Sequence, residues 1–286
     1  MKQFEDKVAV ITGAASGIGK AISMRCAQEK MKIVMADIEA EALKKSAREI
    51  ELSGADLIHV VTDVSKEKDM KYLAQTTMDT YGAVHLLFNN AGIAVSTPSS
   101  WEGSISDWEW SLGVNLWGVI HGIRTFVPIM LEQHIQCHIV NTSSMAGLMV
   151  PPGGSPYVVS KHSVVALSEV LYHELTLRDA QIGVSVLCPG FVNTSIIDSE
   201  RNRPDHLKNA FSQKKQNNAH EARIKKRQKA IETGMPAKRV ADATFNAIRH
   251  NTFYIITHAE ETMEPVHIRM NNILNGQNPT LPPRST

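Results

Sequence analysis

Short apolar runs separated by longer helical stretches organise this chain from end to end. The runs are Val8–Thr12, Ile33–Ala36, Leu57–Val61, Leu86–Phe88, Ile139–Thr142, Val184–Leu187 and Phe253–Thr257. Helical periodicity fills 18–29, 39–53, 66–81, 105–133, 156–178 and 238–249 between them. Each run is too short for a helix and too continuously apolar for a half-exposed strand, so it reads as a strand buried on both faces. Strands that alternate with helices form right-handed crossovers, which implies a parallel sheet of seven strands covered by helices on both sides. Nothing in the composition cuts the chain before residue 195, so residues 1–286 are expected to form a single α/β domain. Residues 195–235 would be a late insertion in it. Residues 275–286 hold three of the twelve prolines and are expected to form an extended tail.

Charge narrows the function classes. The 286 residues carry 30 Lys+Arg against 29 Asp+Glu, which argues against a strongly basic nucleic-acid binder and against an acidic disordered chain. The balance is uneven, because residues 201–229 hold ten basic and two acidic side chains. A solvated helical lid over a substrate site is the preferred reading of that segment, with attraction of an anionic substrate as the alternative. Only Phe211 interleaves with these charges, so single-stranded nucleic acid is not the expected ligand. Cys26, Cys137 and Cys188 are too scattered for a disulfide framework. Neither an N-terminal secretory pattern nor a run of about 18 apolar residues occurs, so a cytoplasmic protein with no membrane partner is expected.

The first strand runs into Thr12-Gly13-Ala14-Ala15-Ser16-Gly17-Ile18-Gly19, where a helix begins. Glycines there allow a tight turn and let backbone N–H groups approach a pyrophosphate at the helix N-terminus. Asp37 ends the second strand 18 residues after Gly19. A carboxylate in that place accepts hydrogen bonds from an adenosine ribose and repels a 2′-phosphate. With Ala15 in the loop and Ile38 after the acid, no basic residue is in sequence reach of that phosphate. NAD(H) is therefore favoured over NADP(H), on a doubly wound, Rossmann-type sheet.

Tyr157 and Lys161 stand one helical turn apart, so both project from one face. A phenol is a poor base at neutral pH, and a cation one turn away stabilises its anion. Ser144 ends the segment Ile139–Ser144, at the carboxyl end of a strand, where a doubly wound sheet builds its ligand crevice. Pyrophosphate loop, hydroxyl, phenol and ammonium would then share one rim.

On these residues the chain resembles the classical short-chain dehydrogenases/reductases. The matching pieces, in family order, are Thr12–Gly19, Asp63-Val64, Asn89-Asn90-Ala91-Gly92, Asn115, Ser144, Tyr157 to Lys161, and Pro189-Gly190-Phe191-Val192-Asn193-Thr194. They cover roughly residues 5–195. The resemblance implies that Tyr157 is the general acid/base, that Lys161 supports it and holds the nicotinamide ribose, and that Ser144 binds the substrate oxygen. It implies that Asn115 holds a water linking Lys161 to solvent. Gly13, Ser16, Gly17, Ile18 and Gly19 would cradle the pyrophosphate. Asp63 and Val64 would border the adenine, and Asn90, Ala91 and Gly92 the adenosine ribose. Pro189, Gly190, Val192 and Thr194 would meet the nicotinamide end.

Other features carry less. His134, Cys137 and His138 have metal-like spacing but no fourth ligand nearby, and read as a helix end and a strand start, so no metal is expected. Trp101, Trp108, Trp110 and Trp117 read as packing of the long fourth helix. Met145, Leu148, Met149, Val150, Pro151 and Pro152 either line an apolar substrate mouth or simply pack the loop. The helix after Pro156 is apolar on more than one side, which suggests a subunit interface and a homodimer or homotetramer.

The expected function is NAD(H)-dependent hydride transfer between nicotinamide and a hydrophobic secondary alcohol or ketone, such as a steroid or another cyclic or medium-chain alcohol. Met145, Met149 and Phe191 would contact this substrate beside Ser144 and Tyr157. The enzyme alternative is an NADPH-dependent ketone or 3-oxoacyl-thioester reductase. The alternative of another class is a non-catalytic NAD(H)-binding sensor, against which the intact Ser144, Tyr157, Lys161 set argues.

Overall fold

The computed structural model describes residues 1–209 and 218–281. Seven strands form one sheet: β1 (Val8–Thr12), β2 (Lys32–Asp37), β3 (Leu57–Val61), β4 (Leu86–Asn89), β5 (Cys137–Thr142), β6 (Ile182–Cys188) and β9 (Tyr254–Ile256). Their order is β3-β2-β1-β4-β5-β6-β9, and every pairing is parallel. The strand order reverses between β1 and β4, and that switch point opens a crevice at the carboxyl ends of the strands.

The apolar runs behave as expected in the middle of the sheet. All residues of β1, β4 and β5 are buried. β3 is different, with Val61 exposed, because it is the edge strand and helices cover it incompletely. On one face pack α1 (Gly17–Gln28), α2 (Ala40–Glu51) and α8 (Ala237–His250), through a cluster that includes Ile22, Leu43 and Phe245. On the other lie α3 (Glu67–Tyr81), α5 (Gly118–Glu132) and α6 (Ser155–Leu177), joined through Leu73, Phe126 and Leu171.

The single helix expected over 105–133 is built in three parts. α4 (Ile105–Leu112) passes into a π turn, Gly113–Trp117, and then into α5. This stretch is long and apolar enough by composition to cross a membrane, but it packs beside α3 and α6. The reading of its tryptophans needs correction. Trp110 is buried against Ile93 and Val95, whereas Trp101 and Trp117 are exposed. Helix α9 (Ala259–Leu274) was not anticipated, because Pro265 lies inside it and its residues are mostly polar or half-exposed.

After β6 the chain forms a two-residue strand β7 (Val192–Asn193), which pairs in parallel with β8 (Met235–Pro236). Between these strands lie short 3-10 turns and helix α7 (Asn218–Glu232). Asp107 accepts a hydrogen bond from buried Arg203 at 2.6 Å, which fastens this segment to α4. Of the expected tail, Gln277 to Leu281 have no regular structure, and residues 282–286 lie outside the described residues.

Two buried histidines make folding pH-sensitive. His138 on β5 meets Ser185 Oγ at 2.8 Å, and burial pushes its pKa down to about 3. His85 Nδ1 accepts from the Val8 N–H at 3.0 Å, and burial, helped by the nearby Lys7 charge, pushes its pKa down to about 4. Both stay neutral in the fold while the unfolded chain takes up a proton below about 6.5. Their contribution is therefore complete above pH 6.5 and drains away as pH falls toward the folded values. Unfolding free energy from urea titrations should drop by about 2 kcal/mol per histidine between pH 7 and pH 5. A flat profile over that range would contradict the neutral assignment.

Candidate active site

The loop after β1 is built for close backbone approach. Gly13 (φ +67°) and Gly17 (φ +53°) lie in the left-handed region, which other residues adopt at a cost. A Cβ on Gly19 would overlap the Gly13 carbonyl oxygen, and one on Gly13 would lie 2.8 Å from Ala91 Cα. Ser16 precedes α1 in an extended conformation and makes no side-chain cap, leaving the first N–H groups of the helix open beside Ile18. These open donors and the side-chain-free surface fit a pyrophosphate. A cavity of about 330 Å³ adjoins the loop, lined by Gly17, Asn193, Thr194, Ser195, Ile197 and Gln228.

Asp37 ends β2 beside this loop. Its carboxylate accepts from the Ala15 N–H at 2.9 Å and from the Glu39 N–H at 3.0 Å. Burial pushes its pKa above the ordinary carboxylate range, and those two hydrogen bonds oppose the shift. The expectation that no basic residue reaches this region is corrected by Arg201. It arrives from the segment between β7 and β8 and grips Glu39 with Nη2 at 2.6 Å and Nε at 3.2 Å. Asn202 adds a third bond to Glu39 at 2.9 Å. The guanidinium is thus already committed to a carboxylate, and it holds the Glu39 pKa below its usual range. Arg201 stands 164 residues beyond Asp37 in the chain, so no local pattern could reveal it.

The loops after β3 and β4 lie at the same carboxyl rim of the sheet. Asp63 is pushed up by burial, but hydrogen bonds from Ser65 and Lys66 outweigh this and keep it ionised. Val64 is buried against Gly118. Asn90 and Ala91 both donate backbone N–H groups to Thr12 Oγ1, at 2.9 and 3.1 Å, and the Asn90 amide reaches the Thr12 carbonyl at 3.0 Å. One threonine therefore locks the β4 loop onto the glycine loop.

At the chemical end, α6 starts from Gly154 (φ +64°), with Pro156 in its first turn. Tyr157 and Lys161 follow, with Lys161 Nζ 5.7 Å from the Tyr157 ring centre. Lys161 is buried, and Nζ donates to the Thr142 carbonyl at 2.9 Å. Only one of its three N–H donors is spent in this way. Burial pushes its pKa down to about 8, so the ammonium is present at neutral pH and is lost as pH rises through that value. Ser144 lies at the end of β5, where its Oγ accepts from the Ala146 N–H at 3.1 Å and holds the Pro189 carbonyl only weakly at 3.5 Å. Its proton can therefore turn toward a stronger acceptor.

Asn115 sits inside the π turn with its side chain fully engaged. It accepts from the Ile93 N–H at 2.8 Å and donates to the Ile93 carbonyl at 3.0 Å and to Ser160 Oγ at 3.2 Å. That makes its amide a brace between the β4 loop and α6. Gly92 lies between this brace and Lys161, since a Cβ there would be 3.3 Å from Asn115 Oδ1 and 3.4 Å from Lys161 Nζ.

The Pro189–Thr194 turn is held by a residue that local motifs did not reveal. His258 Nδ1 accepts from the Gly190 N–H at 3.0 Å, and its Nε2 reaches the Phe191 carbonyl at 3.1 Å. These two bonds require the neutral tautomer with the proton on Nε2. Val192 is buried, and Thr194 packs against Gly17. Met145 and Met149 are half-buried in the loop after Ser144, Phe191 is exposed, and none of the three lines the cavity beside Gly17. Leu148 faces elsewhere, into a groove between α6 and α9.

A glycine-cradled switch point joined to a Ser–Tyr–Lys rim defines a dinucleotide-dependent oxidoreductase of the doubly wound class. The chain belongs to the short-chain dehydrogenase/reductase family: the family model for short chain dehydrogenases matches residues 7–205. A short-chain dehydrogenase/reductase from Burkholderia phymatum, crystallised in complex with NAD, is 44% identical over the full length of both chains, with a TM-score of 0.95. The CLA biosynthesis dehydrogenase/reductase of Lactiplantibacillus plantarum is 36% identical over 260 residues, which cover 91% of each chain. The 1-deoxy-11-beta-hydroxypentalenate dehydrogenase of Streptomyces avermitilis is 32% identical over 258 residues, covering 90% of this chain and 86% of that one.

Proposed function

We propose that this chain is an NAD(H)-dependent oxidoreductase that interconverts a hydrophobic secondary alcohol and its ketone, with Tyr157 as general acid/base. The observation that carries this reading is Tyr157 beside buried Lys161, on the rim that also holds the glycine loop and Asp37. NAD+, when bound, supplies the hydride acceptor. The Tyr157 phenolate, stabilised by the Lys161 ammonium, takes the proton of the alcohol and becomes the neutral phenol as the hydride leaves the carbinol carbon. Ser144 donates to the substrate oxygen as charge develops on it. The two spare donors of Lys161 suit a ribose diol, and Asp37 suits the hydroxyls of the other ribose.

NAD(H) is preferred over NADP(H) because the Asp37 and Glu39 carboxylates flank the ribose site and Arg201 is paired with Glu39. The bound NAD of the Burkholderia phymatum relative supports the same choice. The name of the Streptomyces avermitilis relative gives a hydroxylated carboxylate as its substrate, which supports oxidation of an alcohol. Fluorescence titration tests the cofactor directly: NADH should bind at least about tenfold more tightly than NADPH, a difference of about 1.4 kcal/mol.

The protein is further proposed to be a homodimer or homotetramer. Val158, Val164, Val165, Leu171 and Leu175 of α6 face the interior, yet Val159, Val170 and Leu177 stay exposed on the same helix. Exposed apolar residues on a helix that also serves the core are suited to a second copy. Light scattering at micromolar concentration should give a multiple of 31.6 kDa, and a monomeric mass would remove the proposal.

A further inference from the structure

The segment between β7 and β8 uses its arginines in two different ways. Arg201 and Arg203 are spent on carboxylates, Glu39 and Asp107. Arg223 and Arg227, one turn apart on α7, take part in none of the ion pairs found among the described residues. Arg227 instead lies against the face of the catalytic phenol, its guanidinium carbon 5.4 Å from the Tyr157 ring centre.

This placement is held at both ends of the helix. Arg223 Nη1 donates to the Pro152 carbonyl at 3.0 Å, in the connection that leads from Ser144 to Tyr157. Gly153 (φ +82°) clears the space for that contact, because a Cβ there would overlap the Arg223 guanidinium. At the other end Asn193 Nδ2 donates to the Glu232 carbonyl at 3.0 Å, and the Met235 N–H to the Phe191 carbonyl at 2.9 Å. α7 is thus tied to the serine–tyrosine connection on one side and to the Pro189–Thr194 turn on the other.

We infer that Arg227, with Arg223 beside it, binds an acidic group on the substrate, so that the favoured substrate is a hydrophobic secondary alcohol with a carboxylate a few carbons from the carbinol. The inference rests on the alcohol–ketone reading above and names the substrate class of that same site. A guanidinium resting on an aromatic face makes a weak contact, whereas a carboxylate offers it two parallel, charge-assisted hydrogen bonds. An entering acid would therefore draw Arg227 off the phenol face and into a fork around the carboxylate. Because Arg227 and the phenol are neighbours, the acid anchored there leaves its hydroxyl near Tyr157 and Ser144. The apolar remainder of the substrate is carried away from the charges.

The test compares 3-hydroxydecanoate with its methyl ester, which share alcohol and tail and differ in charge. In the wild type, kcat/KM with NAD+ should favour the acid. Arg227→Gln should lower kcat/KM for the acid at least about thirtyfold more than for the ester, chiefly through KM, and Arg227→Lys should recover part of the loss. Calorimetric binding of decanoate to the NADH-loaded enzyme should weaken by a similar factor in Arg227→Gln. Equal losses on acid and ester, or unchanged decanoate binding, would overturn the inference and leave the alcohol–ketone reading standing. If neither alcohol is oxidised, the decanoate measurement alone decides the anion site, and the alcohol–ketone reading is decided by a wider panel of alcohols.

Discussion

Tyr157→Phe should lower turnover by about three orders of magnitude while NADH binding stays within about twofold of the wild type. The substitution removes one hydroxyl and keeps the ring that Lys161 and Arg227 both approach. No other described group is placed to do the same work. Lys161 is held by the Thr142 carbonyl, and Ser144 Oγ accepts from the Ala146 N–H. Removing the phenolic proton acceptor therefore strips the chemistry without disturbing the cofactor cradle. Unchanged turnover would take Tyr157 out of the reaction. A loss of NADH binding of the same size would instead give it a structural role.

The second large effect concerns cofactor choice. Asp37→Ala alone should relax the preference for NADH over NADPH by about tenfold, since one carboxylate that repels a 2′-phosphate is removed. Adding Glu39→Gln should carry the shift to about a hundredfold, because it removes a second carboxylate and releases Arg201. The Arg201 Nη2 and Nε donors, now gripped at 2.6 Å and 3.2 Å, would then have no carboxylate partner, while Nη1 stays on the Ser195 and Asp198 carbonyls. Fluorescence titration of both cofactors against both variants measures this. If the double variant behaves like Asp37→Ala, the Glu39–Arg201 pair plays no part in the choice.

Much of this was legible in the order of residues because the information is local. A buried parallel strand needs a continuous apolar run, so β1, β4 and β5 stand out directly, and the seven-stranded sheet follows from their alternation with helices. The glycine loop is legible for the same reason, since its positive φ angles and close backbone contacts exclude side chains. Local patterns failed where the structure depends on distant partners. Arg201 on Glu39, Arg203 on Asp107 and His258 on Gly190 join positions between 68 and 162 residues apart. Basic composition marked residues 201–229, but only the fold separates Arg201 and Arg203, paired with acids, from Arg223 on the Pro152 carbonyl and Arg227 on the Tyr157 ring. The π turn was hidden too, because residues 105–133 have the same apolar period whether or not one carbonyl shifts its partner. The tryptophans misled because residue type is a poor guide to burial: Trp101 lies exposed in the turn before α4, and Trp117 lies exposed where the π turn passes into α5.

The most direct test of the central claim is a panel of hydrophobic secondary alcohols with purified protein and either NAD+ or NADP+, followed by the absorbance of the reduced cofactor. The expected result is formation of NADH with at least one cyclic or medium-chain alcohol, slower reaction with NADP+, and loss of the signal in Tyr157→Phe. Tight NADH binding with no reduction of NAD+ by any member of the panel, and no oxidation of NADH by the matching ketones, would contradict it.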